Sequence, residues 1–326
     1  MKPTRVQEVI HSVIDTRWPL FLWGPPGVGK SSVVRQIADD KKIELLDVRA
    51  SLLDPTDLRG IPTVENGQAK WCPPSFLPHD PASKGILFFD ELNAAPALVQ
   101  ASLYQLTLDR RIGEYELPRG WKIIAAGNRA QDRAVVFRMP SALVNRFVHL
   151  DFEADFDDWR NWAILRKINP LVVGFLSTRS ELLFNMDNPD KPFPTPRSWE
   201  MVSDVLDKFE NLKNCHDVIL GTIGEGAAME FLGYCENAIS EEIINKIIND
   251  PEKAKLPKKL GDQYALISYL TFKIDKQNVS KATETILNRL SPELGVLLLR
   301  NCLQASPKFA TRKGAQAFAA KHNTLL

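Results

Sequence analysis

The sequence predicts an α/β fold, a five-stranded parallel sheet covered by helices with a helical region after it, and three stretches carry that expectation. The first is Gly24-Pro25-Pro26-Gly27-Val28-Gly29-Lys30-Ser31, which meets the phosphate-binding pattern G-x-x-x-x-G-K-[ST] at every fixed position. The second is Ile86-Leu87-Phe88-Phe89-Asp90-Glu91, an apolar run ending in two carboxylates, as expected of a central parallel strand buried on both faces. The third is a change near Phe152: before it strand and helix patterns alternate, and after it only helical patterns recur.

Composition sets the outer bounds. At 326 residues the chain exceeds the usual size of a single core, so two or three domains are expected. A composition 44% hydrophobic and 25% charged is that of an ordinary globular protein. Lys and Arg number 41 against 40 Asp and Glu, and a net charge of +1 supplies no global field for non-specific nucleic-acid binding. Cys72, Cys215, Cys235 and Cys302 lie far apart without a C-x-x-C pair, which reads as reduced structural thiols. Val6, Val9, Ile10, Val13 and Ile14 recur at helical spacing with Gln7, Glu8 and His11 between them, unlike the core of a signal peptide. No apolar run is long enough to span a bilayer, so a cytoplasmic setting with no membrane contact is expected.

Taken in order, the N-terminal helix leads to the strand Leu20–Trp23, the glycine-rich loop, and a helix running from Ser32 through Ala38. Ile43–Val48 reads as a second strand and Ser51–Leu58 as a short helix. That helix is then interrupted by a hairpin over Ile61–Trp71, signalled by Asn66-Gly67 between two segments that can pair. Prolines keep Trp71–Pro78 out of ladder and helix. Ala97–Leu108 is expected to be helical, with Leu98, Ala101, Leu103 and Leu106 on its apolar side. A second hairpin over Arg110–Gly120 precedes the strand Trp121–Ala126, which ends at Gly127-Asn128. Ser141–Phe147 reads as a short helix and Val148–Phe152 as the last strand. Helices follow from Asp155, over Leu171–Leu176, from Pro196 after a proline-rich linker, over Ala227–Leu232, from the Ser240 cap, over Tyr264–Ile274 and over Leu294–Leu303. The basic run Lys253–Lys259 reads as a solvated loop.

The motifs define a chemistry. Glycines let the backbone of residues 24–31 approach phosphates with its N–H groups turned inward, and the following helix N-terminus adds a partial positive charge. Gly24, Pro25, Pro26, Gly27, Val28, Gly29, Lys30, Ser31 and Ser32 are therefore the candidate ATP-binding residues, with Lys30 neutralising the β- and γ-oxygens. The Ser31 hydroxyl and Asp90 are the candidate ligands of Mg²⁺. Glu91, beside them at the carboxyl edge of the sheet, is the candidate for polarising the attacking water, and Asn128 for orienting it.

This constellation resembles the MoxR group of AAA+ ATPases. Gly24–Ser31 is similar to its Walker A, Ile86–Glu91 to its Walker B and Asn128 to its sensor 1. Pro140–Phe147 resembles its arginine-finger segment, which puts Arg146 in the finger position, and Pro196-Arg197-Ser198 resembles its sensor 2, with Arg197 reaching the γ-phosphate. The Asn66-Gly67 hairpin resembles the helix-2 insert, the Thr107–Gly120 hairpin the one before sensor 1, and Leu171–Leu183 the extra helix before sensor 2. The resemblance implies a P-loop NTPase core at 1–154, a helical lid at 155–240 and a longer helical C-terminal extension at 241–326. It also implies a homo-hexameric ring that hydrolyses Mg-ATP to remodel a partner protein, one carrying a von Willebrand factor A (VWA) domain. Arg146 is expected on the far edge of the core from the Lys30 loop, and so to serve a neighbour's ATP. Two other functions compete. A nucleic-acid motor or loader is disfavoured because Lys70 is the sole basic residue of the insert, and a non-hydrolysing switch because Glu91 is present.

Overall fold

The computed structural model describes residues 1–132, 136–209 and 211–323, so the last three residues of the expected C-terminal extension lie outside the described residues. Two compact units divide the chain, Met1–Ala154 and a second one beginning at Asp155.

In the first unit α1 (Pro3–Val13), β1 (Leu20–Trp23), α2 (Lys30–Lys41) and β2 (Glu44–Arg49) come first. Next are α3 (Pro55–Arg59) and the antiparallel hairpin β3 (Ile61–Glu65) and β4 (Gln68–Cys72). They are followed by β5 (Lys84–Asp90), α4 (Ala97–Asp109), the two-residue strands β6 (Arg111–Ile112) and β7 (Tyr115–Glu116), β8 (Gly120–Gly127), α5 (Ser141–Val144) and β9 (Val148–Asp151). Five strands form one parallel sheet in the order β2-β5-β8-β1-β9. The chain order thus crosses over repeatedly, and the helices cover both faces.

Burial follows from the apolar runs. Phe21, Leu87, Phe89, Ile123 and Ala125 pack in one core with Leu58 of α3 and with Val99, Leu103 and Leu106 of α4. The alternate residues Leu20, Leu22, Ile86, Phe88 and Ile124 are just as deeply buried, as a strand covered on both faces requires. Register then aligns the carboxyl ends: Trp23 pairs with Gly127 and with Asp151, Phe89 with Ala125 and Arg49 with Asp90. The loop after β1, the acids closing β5 and the amide after β8 therefore emerge at one edge.

Two expectations need correction. The helix read over Ser51–Leu58 divides into a 3₁₀ turn at Ala50–Leu52 and α3, because Pro55 starts a new helix and Asp57 accepts from the Asp54 amide at 2.8 Å. On α4, Leu98 and Ala101 are exposed, while Val99, Gln100, Ser102 and Thr107 join Leu103 and Leu106 inside. Apolar residues circle this helix, so spacing does not single out the buried face. β9 lies beside β1. Arg146, expected on the far edge of the core from the Lys30 loop, lies toward the opposite end of the strands from that loop. It precedes Val148, whose amide bonds the Pro19 carbonyl at the start of β1, whereas the glycine-rich loop leaves from its end.

The second unit has helices and connecting loops but no strand among its described residues: α6 (Phe156–Leu165), α7 (Pro170–Thr178), α8 (Pro196–Leu206), α9 (His216–Ile223), α10 (Glu225–Asn237), α11 (Glu241–Asn249), α12 (Leu260–Phe272), α13 (Gln277–Leu287), α14 (Pro292–Ala305) and α15 (Lys313–Lys321). Asp155, Thr195 and Ser240 cap α6, α8 and α11 through their side chains. Trp199 is fully buried against Phe175 and Phe231, and its indole N–H donates to the Leu182 carbonyl at 2.8 Å. No helix among the described residues is long and apolar enough to cross a membrane.

Candidate active site

The glycine-rich loop departs from β1 with its first amide still in the sheet, Gly24 N donating to the Gly127 carbonyl at 3.2 Å. Gly29, at φ +106°, caps α2 in a conformation that a side chain would resist, although no atom lies where its Cβ would stand. The turn that Gly29 permits puts Lys30 at the first position of α2, where it is 8% exposed. Its ammonium folds back over the loop, donating to the carbonyls of Gly24 at 2.6 Å and Pro25 at 2.9 Å and to Asn128 Oδ1 at 3.0 Å. Loop, lysine and the amide after β8 thus meet through hydrogen bonds between residues distant in sequence.

One residue on, Ser31 Oγ donates to Asp90 Oδ2 at 2.9 Å, and the other Asp90 oxygen accepts from the Glu91 amide at 2.9 Å. The negative charge of Asp90 reaches β2: Asp47 is held above the ordinary carboxyl value first by burial and then by Asp90, against the opposing pull of Arg35 and Arg49. Glu91 has a left-handed backbone, φ +55° and ψ +36°, a conformation costing a non-glycine residue on the order of 1 kcal/mol or more. That turn redirects its side chain, and Oε2 accepts from Ser51 Oγ at 2.7 Å. The sequence offers no cue for Ser51. It enters only because β2 lies beside β5, with Arg49 opposite Asp90.

Asn128 is held by another residue that the motifs do not mark. Asn93 Nδ2 donates to the Asn128 carbonyl at 2.6 Å, and Asn93 Oδ1 accepts from the Asn128 amide at 3.2 Å. Arg146 has different company. Its guanidinium lies 3.6 Å from the centre of the Tyr104 ring, Nη1 donates to the Ala142 carbonyl at 2.5 Å, and its Nε is buried without a hydrogen-bond partner. Neither Tyr104 nor Ala142 belongs to the phosphate loop. Arg197 is exposed at the second position of α8, in the second unit.

The structure thus brings Lys30, Ser31, Asp90, Glu91 and Asn128 to one edge of the sheet. Such a parallel sheet, with its phosphate loop after β1 and paired acids at the end of β5, is the AAA+ form of the P-loop NTPase fold. Residues 19–147, rather less than half of the chain, match the family model of the AAA domain, dynein-related subfamily. No curated protein matches the chain. Among solved structures, NtrX from Brucella abortus is similar at 16% identity over 99% of this chain and 68% of that one, with a TM-score of 0.40. The RuvB Holliday junction branch migration motor of Thermotoga maritima is similar at 15% identity over 84% of this chain and 83% of that one, with a TM-score of 0.37.

Proposed function

We propose that this chain is a Mg-ATP-hydrolysing ring ATPase of MoxR type that remodels a partner protein or complex. The observation that carries the reading is the meeting of Lys30, Ser31, Asp90 and Asn128 at the carboxyl edge of the sheet. On this reading, residues 24–32 bind ATP, and its phosphate oxygens replace the Gly24 and Pro25 carbonyls as acceptors for the Lys30 ammonium. The residues also fit Mg²⁺. Ser31 Oγ and Asp90 Oδ2 lie 2.9 Å apart, two hard oxygen donors of the kind this ion takes from protein beside phosphates and waters. When bound there, it neutralises charge on the β- and γ-oxygens. Glu91 polarises the attacking water once its carboxylate leaves Ser51, and Asn128 orients that water.

Arg146 is assigned as the finger for a neighbour's ATP, and Arg197 as the lid residue that reaches the γ-phosphate. The accompanying organisation is a nucleotide-binding domain at 1–154, a lid at 155–240 and an extension at 241–326, in subunits assembled as a homo-hexamer. The motif resemblance supports a VWA-domain partner, and four unpaired cysteines accord with a reducing cytoplasmic setting. The protein partner is favoured over nucleic acid because the hairpin has a single basic residue, Lys70, and that residue is paired with Glu65 at 3.1 Å. A severalfold rise in turnover on adding DNA, with a steep salt dependence, would replace this reading by a nucleic-acid motor.

Two variants test the site. Lys30→Ala should lose ATP binding, whereas Glu91→Gln should bind ATP and turn it over about 10² to 10⁴ times more slowly. Near-normal turnover by Glu91→Gln would remove Glu91 from its role.

A further inference from the structure

We infer that Asn93 is the positioning residue for Asn128, a role that rests on the reading of the site given above. Asn128 stands one residue beyond β8, past the ladder that ends with Trp23 opposite Gly127. Its N–H and C=O therefore lack a strand partner, and the side-chain amide of Asn93 supplies one. The pair of bonds, 2.6 Å to the carbonyl and 3.2 Å from the amide, brackets the residue from both sides as a neighbouring strand would. Asn93 is only 4% exposed, so losing either bond leaves polar groups with little access to water.

Two further features make the bracket stiff. A Cβ on Gly127 would stand 2.3 Å from Asn93 Oδ1, so the close approach depends on glycine at that position. The Asn93 carbonyl also accepts from the Phe137 amide at 2.7 Å, which anchors the turn from a third direction. With its backbone fixed in this way, Asn128 points Oδ1 at the Lys30 ammonium, 3.0 Å away.

Asn93 follows Glu91 by two positions, on the 3₁₀ turn Leu92–Ala94. That turn is closed by its own backbone, Ala94 N to the Glu91 carbonyl at 2.9 Å and Ala95 N to the Leu92 carbonyl at 3.2 Å, without the Asn93 side chain. The amide is therefore free to serve the neighbouring strand. It couples the carboxylate that polarises water to the amide that orients that water beside the γ-phosphate, so that the two keep a fixed relation when ATP is bound.

The experiment uses the full chain with Asn93→Ala, Asn128→Ala and the double variant, measuring turnover of Mg-ATP and affinities for ADP and a non-hydrolysable ATP analogue. Asn93→Ala should slow turnover about 10- to 100-fold, the loss expected when a reacting group is displaced by an ångström. ADP affinity should stay the same, and the preference for the analogue over ADP should shrink to that of Asn128→Ala. The double variant should be no slower than Asn128→Ala alone, because Asn93 acts through that residue. Asn93→Asp keeps the shape but sets a carboxylate oxygen against the Asn128 carbonyl. It should reproduce the loss, and it carries the same comparison if the alanine variant fails to fold. Turnover at the wild-type rate in either Asn93 variant, effects that multiply in the double variant, or an equal loss of ADP and analogue affinity would each overturn the inference. Wild-type turnover by Asn128→Ala would instead overturn the reading of Asn128 itself, and this inference with it.

Discussion

Glu91 and Asn128 show how single residues become a site. Both follow the last residue of a strand, both need an unusual local arrangement, and both are restrained by a side chain from another segment, Ser51 in one case and Asn93 in the other. Gly127 gives a direct stability test. Gly127→Ala would place a methyl group 2.3 Å from Asn93 Oδ1 and 2.9 Å from Phe21 Cζ, and overpacking of this kind costs about 1–3 kcal/mol. Thermal unfolding should detect the loss; an unchanged melting temperature would mean that the turn can yield. Lys30, Ser31, Asp90, Glu91 and Asn128 were legible in the sequence because each stands at a fixed offset from a recognisable strand. Ser51 and Asn93 were not. Serine and asparagine in turns look like ordinary turn residues, and their partners are decided by the order of strands in the sheet.

At the level of elements, the five core strands and both hairpins were legible because apolar runs and Asn-Gly or Gly turns identify them locally. Three helices were not anticipated, and the reason lies in what each buries. On α13 the inward face includes Ser280 and Thr283 besides apolar residues, and on α15 only Ala315 and Phe318 are buried. In α9 valine, isoleucine and threonine weaken the helical signal. Cys302, wholly inside the core that α12, α13 and α14 build, offers a measurement on these elements. Burial pushes its thiol from an ordinary 9.0 up to about 12. The unfolded chain releases this proton at lower pH than the folded one, so Cys302 favours unfolding progressively as pH rises from 9.0 toward about 12. Below that window its contribution is fully retained. Stability of the native chain should therefore fall more steeply across alkaline pH than that of Cys302→Ala, whatever their difference at neutral pH; equal slopes would show that the thiol ionises freely in the fold.

For the whole molecule the decisive question is whether two chains complete one site. Arg146 rests on Tyr104 at the opposite end of the strands from the phosphate loop, and its Nε has no hydrogen-bond partner. Arg146→Ala should leave ATP affinity nearly unchanged and lower turnover by about 10³ to 10⁵, the worth of a finger arginine in phosphoryl transfer. Mixed with Glu91→Gln, it should regain activity, since some interfaces then pair an intact Glu91 with an intact Arg146. Turnover per site that is independent of concentration, with no recovery on mixing, would make Arg146 a structural residue.

The β3–β4 hairpin divides the first unit in an unexpected place. All five residues of β4 are exposed, as are Ile61 and Val64 on β3, so this arm adds little to the core that it leaves and rejoins. A proteolytic nick after Lys70 would separate the phosphate loop and Lys30 on one fragment from Asp90, Glu91, Asn93 and Asn128 on the other. Yet β2 would still be laddered to β5, and β1 would still be enclosed between β8 and β9. The edge that carries the candidate site is thus a seam between two interleaved pieces of chain, and fragments meeting at that seam have the pairing surfaces to rebuild it without the peptide bond that joined them.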